Sequence, residues 1–282
     1  MRKRLSPEEI GERRRHNYHL LPELAVRSEE AARDFVDEVG LCFLFPVAGA
    51  ELPNLWEAVN GGRRELPRRN FDHLLRMTWN WKDTLPSKRQ VFYAKLIRQK
   101  PTLVSLSLLP CFYALSDNYG EPDDYLESYR QGRMSEEAKR IYEVLLMRGP
   151  SSTGALRREA GLWGGPNSTR FERALRELQA GLKIAKCGIS DANRWGYSYV
   201  YDLLPRFLPE EVARGLETSS RQGMRMIMTK YIETVVAATP QQVARLFGWS
   251  PERTKAAADS LLDQGTLVEA EVSGEEGWLA MA

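Results

Sequence analysis

The sequence predicts an α+β chain, mainly helical with small β wings, organised as tandem winged helix-turn-helix domains. Three observations lead there. Segments of helical period are followed by paired segments of period two, in the order helix, helix, helix, hairpin over about seventy residues. That order occurs twice. Gly161 and Gly181 in one copy, and Gly248 and Gly265 in the other, mark matching ends of the second and third helices.

In the first copy, Ser135 stands as an N-cap ahead of Glu136 and Glu137, acids that suit the start of a helix dipole. Ala138, Ile141, Tyr142, Leu145 and Leu146 follow at helical spacing, and Gly149-Pro150 stops the run. A short helix covers Ser152 to Ala160, and a third runs through Phe171, Ala174, Leu175 and Leu178 to Gly181. Leu182 to Lys186 and Trp195 to Tyr201 then read as two strands around a polar turn. In the second copy the first helix spans Met224 to Ala237, and Thr239-Pro240 and Ser250-Pro251 open the other two by N-cap and first-turn proline. Thr266 to Ala270 and Trp278 to Met281 form its hairpin. The expected domains are residues 1–132, 133–209 and 210–282. Within the first, Gly40 to Pro46 reads as a buried strand or helix end, Ser87 to Arg98 as a helix, and Leu103 to Leu115 as a second apolar element.

Charge is distributed by blocks. The formal total is +2, from 40 Lys and Arg against 38 Asp and Glu. Residues 61–100 hold eleven bases and three acids, residues 21–60 hold two bases and eight acids, and the last twenty-two residues hold five acids and no base. The basic block is interleaved with Trp79, Trp81, Phe92 and Tyr93, a composition that suits phosphate and base stacking. Arg63, Arg64, Arg68, Arg69, Lys82, Lys88 and Arg89 are therefore candidate backbone contacts. On the third helix of the first copy, the side away from the apolar stripe shows Asn167, Ser168, Arg170, Arg173 and Glu177. Arg and Asn make bidentate base contacts, and Lys183, Lys186 and Arg194 flank the wing. The second copy offers only Arg253 and Lys255 on its third helix and carries Glu269, Glu271, Glu275 and Glu276 on its wing, which suits a protein partner better than phosphate.

Known reaction signatures are missing. There is no nucleotide-binding Gly-rich loop and no HExxH, GxSxG or HxE…PCxxC pattern. Cys42, Cys111 and Cys187 lack metal-ligand spacing, and His16, His19 and His73 are scattered, so no metal or cofactor is expected. No apolar run approaches the roughly 18 residues of a membrane span, and the basic start leads into Ser6-Pro7-Glu8-Glu9. A cytoplasmic protein without a membrane partner is expected. Asp37 and Glu38, at the end of an acidic helix, are the nearest carboxylates for stabilising a sugar cation.

Two segments resemble a known family. Tyr199-Val200-Tyr201-Asp202-Leu203-Leu204-Pro205-Arg206-Phe207-Leu208-Pro209 is similar to the exit from the central wing of the AlkZ/YcaQ-type winged-helix DNA glycosylases, and more closely of their AlkZ-related branch. Phe35 to Pro46 falls where that family places its first-domain signature. The resemblance covers roughly residues 30–280. It implies three winged-helix-like units around a DNA-binding channel and, in the enzymes, metal-independent excision of alkylated bases or unhooking of interstrand crosslinks. Those enzymes hold a catalytic water with a Gln-hydrophobic-Gln or Gln-hydrophobic-Asp motif, and Phe43 and Phe45 stand at those positions here. Phenylalanine cannot polarise water. The expectation is a duplex-DNA-binding protein linked to damage recognition or repair without the usual catalytic pair. The alternatives are a divergent glycosylase acting through Asp37 or Glu38, and a transcription regulator.

Overall fold

The structure is a computed structural model that describes residues 3–67, 72–190 and 197–282. A short strand β1 (Lys3–Leu5) and helix α1 (Pro7–Asn17) open it. The sequence Ser6-Pro7-Glu8-Glu9 forms a full capping box on α1. Ser6 Oγ accepts from the Glu9 amide and the Glu9 carboxylate accepts from the Ser6 amide.

The same six-element order then follows three times. The first repeat contains α2 (Glu29–Val39), β2 (Leu41–Phe43), α3 (Leu55–Asn60), α4 (His73–Ser87), β3 (Val91–Lys95) and β4 (Pro101–Ser105). Two connecting helices, α5 (Leu109–Tyr113) and α6 (Asp124–Arg130), lead to the second repeat. It contains α7 (Glu136–Arg148), β5 (Ser151–Ser152), α8 (Thr153–Glu159), α9 (Gly165–Ala180), β6 (Ile184–Ser190) and β7 (Ser198–Leu203). After α10 (Leu204–Phe207) and α11 (Pro209–Glu217), the third repeat contains α12 (Ser220–Val235), β8 (Ala237–Ala238), α13 (Pro240–Phe247), α14 (Pro251–Asp263), β9 (Leu267–Val272) and β10 (Glu275–Met281). In each repeat the short first strand pairs antiparallel with the last one, β2 with β4, β5 with β7 and β8 with β10. Helix, strand, helix, helix and a two-stranded hairpin is the arrangement expected of a winged helix, and the fold is α+β with small sheets.

The first repeat corrects the sequence reading. Ser87 to Arg98 is not a helix: α4 ends at Ser87, Arg89 turns with φ of 55°, and Val91 to Lys95 forms β3. Val91, Phe92, Tyr93 and Ala94 are all buried, so the strand lacks the alternation that marks one open face. Leu103 to Leu115 divides into β4 and α5.

The repeats share a core. One buried cluster joins Phe43 and Val104 of the first repeat with Met224, Ile227 and Tyr231 of α12 and with Phe112 and Tyr113 of α5. Helix α12 comes so close to α5 that a Cβ on Gly223 would lie 2.7 Å from the Cys111 carbonyl oxygen. The N-terminus reaches across the molecule. Strand β1 runs parallel to β9 of the third repeat, and Arg14 donates to the carbonyls of Val235 and Ala237 at the end of α12. The outer edge of the acidic third wing is thereby covered by the chain's own basic start, with Arg4 at 3.7 Å from Glu271.

Candidate nucleic-acid interface

Helix α9 occupies the third-helix position of the second repeat. Phe171, Ala174, Leu175 and Leu178 bury one side. Gly164 at the N-cap (φ of 102°) supplies no side-chain acceptor, Pro166 carries no amide hydrogen, and the Asn167 amide donates to the Gly164 carbonyl at 3.1 Å, so the start of this 16-residue helix offers a ligand the Gly165 amide and the positive end of the helix dipole. Asn167 donates to the Trp163 carbonyl at 3.2 Å, and Ser168 accepts from Arg157 at 3.2 Å. Arg157 is itself fixed, paired with Glu172 at 2.7 Å and lying 4.4 Å from the centre of the Phe171 ring. Arg170 is exposed with Glu137 at 3.8 Å, and Arg173 is exposed with no ion pair to a described residue. Trp163, 65% exposed, stands immediately ahead of the helix. Glu177 does not belong to this open strip. Its carboxylate accepts from both the amide and the hydroxyl of Ser135, 2.7 Å each, and completes the cap of α7.

The wing lysines lie elsewhere than the sequence suggested. Strand β6 packs against α4 and β3 of the first repeat. Lys186, on its inner face, meets Asp83 of α4, with its ammonium 3.6 Å from the centre of the Tyr199 ring. Lys82 donates to Asp83 (2.6 Å), Tyr197 (3.0 Å) and Tyr199 (2.8 Å). Tyr197 donates to the second carboxylate oxygen of Asp83. Burial, and then the neighbouring Lys82, pull the Lys186 ammonium down to about 7, with Asp83 acting in the other direction. Burial lifts the Asp83 carboxyl, yet Lys186, Lys82 and Tyr197 outweigh it and hold Asp83 below the usual carboxylate range. Lys183 is also buried, donating to Asn118 at 2.5 Å, and burial lowers its pKa. Lys82, Lys183 and Lys186 therefore hold the second wing onto its neighbours and offer no charge to a surface ligand. Charge, aromatic rings and shielding from water explain why: a buried ammonium persists only where carboxylate, hydroxyl and ring faces replace its hydration.

The remaining basic candidates divide. Arg64 is pinned by Asn60 (2.9 Å) and Asp72 (2.7 Å) and lies 5.5 Å from the Trp56 ring centre. Arg63 is exposed. Lys88 is exposed in a pair with Glu29 at 2.7 Å, and Arg89 is exposed over the Phe207 ring at 5.1 Å. Such exposed pairs contribute about 0 to 1 kcal/mol, so phosphate can compete for these side chains. Arg68, Arg69 and Arg194 lie outside the described residues. Of the interleaved aromatics, Trp81, Phe92 and Tyr93 are core, and Trp79 is 44% exposed.

The carboxylate candidates sit at the exposed end of α2. A carboxylate oxygen of Glu38 lies 3.1 Å from His19 Nε2. Burial, reinforced by nearby Asp34 and opposed by Arg33, raises the Asp37 carboxyl. Phe43 is buried in β2, and the Phe45 ring lies 5.6 Å from that of Trp79, whose ring centre is 4.6 Å from the Lys82 ammonium. The end of β2 thus presents the rings of Phe45 and Trp79 beside the ion-paired Lys82. Among the described residues, no three His, Cys, Asp or Glu side chains are grouped to hold a metal, and no helix is long and apolar enough to cross a membrane.

No curated protein matches the chain. In fold it is similar to the Streptomyces sahachiroi DNA glycosylase AlkZ, with a TM-score of 0.60 and 14% identity over 99% of this chain and 70% of that one. At that identity the likeness concerns the fold. Residues 26–248, well over half the chain, match the AlkZ-related family, and with the triple repeat in place this chain belongs to that family.

Proposed function

We propose that the protein binds duplex DNA in damage recognition or repair, with the open strip of α9 in the major groove. The observation that carries this reading is α9 itself. Its uncapped start, Asn167 and the exposed Arg170 and Arg173 form a polar face on a third helix whose other side is locked in the core. The positive end of the helix dipole favours a phosphate, and the two guanidinium groups suit guanine edges or flanking phosphates. Arg63, Lys88 and Arg89 add exposed charge on the first repeat. Membership of a family related to DNA glycosylases supports the repair context.

Excision by the family's water-holding pair does not follow, because Phe43 is sealed in the core and Phe45 packs on Trp79. The test is binding together with base release on intact, alkylated, abasic and crosslinked duplexes. Damage-selective binding without release supports the reading. Release of alkylated base would establish a divergent glycosylase instead, located by its loss in Asp37→Asn or Glu38→Gln. A discrete operator footprint on undamaged DNA would favour a transcription regulator.

A further inference from the structure

A cleft of about 390 Å³ lies where all three repeats meet. The loop between β3 and β4 brings Arg98, the residues after α9 bring Leu182, α13 brings Arg245 and Phe247, the turn that follows it brings Trp249, and the first turn of α14 brings Arg253. It lies at the opposite end of α9 from Asn167, so it is separate from the groove-facing strip; a 16-residue helix is about 24 Å long.

Its chemistry is unusual for a structural seam. Three exposed arginines line it, no Asp or Glu does among the described residues, and none of the three forms an ion pair with a described residue. Like charges gathered without counter-ions repel one another, so their neighbourhood favours an anion. Arg98 is held in place by a 3.0 Å bond from its guanidinium to the Gly49 carbonyl, and Arg98 and Gln99 both have left-handed backbone, φ of 51° and 56°. Non-glycine residues persist in that region only where their surroundings impose it, as they do in ligand clamps. Beside the arginines, the rings of Phe247 and Trp249 stack with centroids 4.8 Å apart and planes 22° apart. Phe247 is braced edge-on by Tyr231 at 5.4 Å and tilted against Phe112 at 6.3 Å. Phe247 is thus packed from two sides and backs the Trp249 ring, and a ring already held by its neighbours loses little entropy when a flat ring settles on it.

We propose that this cleft binds a nucleoside 5′-phosphate, the unit shared by a free nucleotide and the phosphorylated end of a strand, with Arg98, Arg245 and Arg253 on the phosphate and Trp249 beside the base. Small-ligand clefts run from about 300 to 1,000 Å³, a range that includes this one. Bidentate guanidinium contacts favour phosphate over a single negative charge, and the apolar ring wall favours a base over bare phosphate. This site does not depend on the duplex reading.

Calorimetric titration of the full chain tests it with deoxyadenosine monophosphate, deoxyadenosine, inorganic phosphate, and a single-stranded hexamer with and without a 5′-phosphate. Deoxyadenosine monophosphate should bind at least about tenfold more tightly than either of its halves. Arg245→Ala with Arg253→Ala should weaken it at least about tenfold, and Trp249→Leu about threefold or more, with unchanged circular dichroism. Arg170→Ala with Arg173→Ala should leave it unaltered, which separates a failure here from a failure of the duplex reading. Tighter binding of the phosphorylated hexamer than of the mononucleotide identifies the strand end as the source, and the reverse identifies the free nucleotide. Absence of binding at millimolar nucleotide, equal binding of inorganic phosphate alone, or wild-type affinity in the folded arginine variant would overturn the proposal.

Discussion

Lys186 of the second wing and Asp83 of the first repeat's third helix meet as a buried ion pair, and Lys82 and Tyr197 share the same carboxylate. The pair joins two repeats by holding strand β6 of the second wing against helix α4 of the first repeat. One carboxylate serves two ammonium groups. Removing it strands both.

Asp83→Asn should therefore destabilise the fold strongly. Breaking a buried pair on one side costs about 3 to 5 kcal/mol, because the surviving charge stays desolvated. Urea denaturation should show that loss, whereas Lys186→Met, which removes one charge and keeps the volume and apolar stem, should cost far less. Similar effects of the two substitutions would contradict the assignment of Asp83 as the shared counter-ion.

Stability should also carry the mark of Lys186 in its dependence on pH. Its ammonium is pulled from its ordinary value near 10.5 to about 7 by burial and Lys82. Above pH 7 the unfolded chain binds a proton at this site that the folded chain has released, so the Lys186 contribution rises with pH between about 7 and 10. At pH below 7 the folded protein bears the full cost of a buried charge. Thermal unfolding in that window should show a flatter pH profile for Lys186→Met than for wild type. An unchanged slope would show that the ammonium keeps its ordinary affinity for protons.

Glu177 and Ser135 provide a test of how the second repeat is held. Glu177→Ala removes the acceptor for the Ser135 amide and hydroxyl, and should cost about 1 to 2 kcal/mol by loss of a cap and a charge-assisted bond. DNA affinity should not fall at a temperature where the variant is folded. A selective loss of binding would return Glu177 to the interface.

Gly223→Val places a side chain against the Cys111 carbonyl at the crossing of α12 and α5. Backbone on both sides cannot yield easily, so a loss of about 1 to 3 kcal/mol or more is expected in chemical denaturation. Unchanged stability would mean that the two helices are not fixed at this distance.

Much of this fold was legible because the second and third repeats punctuate themselves. Ser135, Thr239 and Ser250 open helices with side-chain caps, Gly248 closes α13 in a left-handed turn, and the apolar residues keep the helical period. The first repeat hid β3, since Val91 to Ala94 is buried on both faces and lacks period-two alternation, whereas Gly40 to Pro46, which contains β2, reads as a buried strand or helix end. Its helix α4 did carry a signal. Thr78, Trp81, Lys82 and Leu85 fall at i, i+3, i+4 and i+7, so Lys82 sits within a buried stripe. Lys186 likewise shares a strand face with buried Ile184. Charge alone marked both as surface residues, and only their phase in the periodic pattern spoke against it. The acidic third wing gave no hint that β1 would cover its edge, because that pairing joins opposite ends of the chain.

Duplex affinity of the Arg170→Ala, Arg173→Ala double variant across a salt series measures the groove-binding account most directly. Wild type should lose affinity steeply as salt rises. The variant should bind at least about tenfold more weakly, with a shallower salt dependence if its arginines neutralise phosphates. A folded double variant that binds intact, nicked and abasic duplexes like wild type, with the same salt slope, would contradict α9 as the DNA-facing helix.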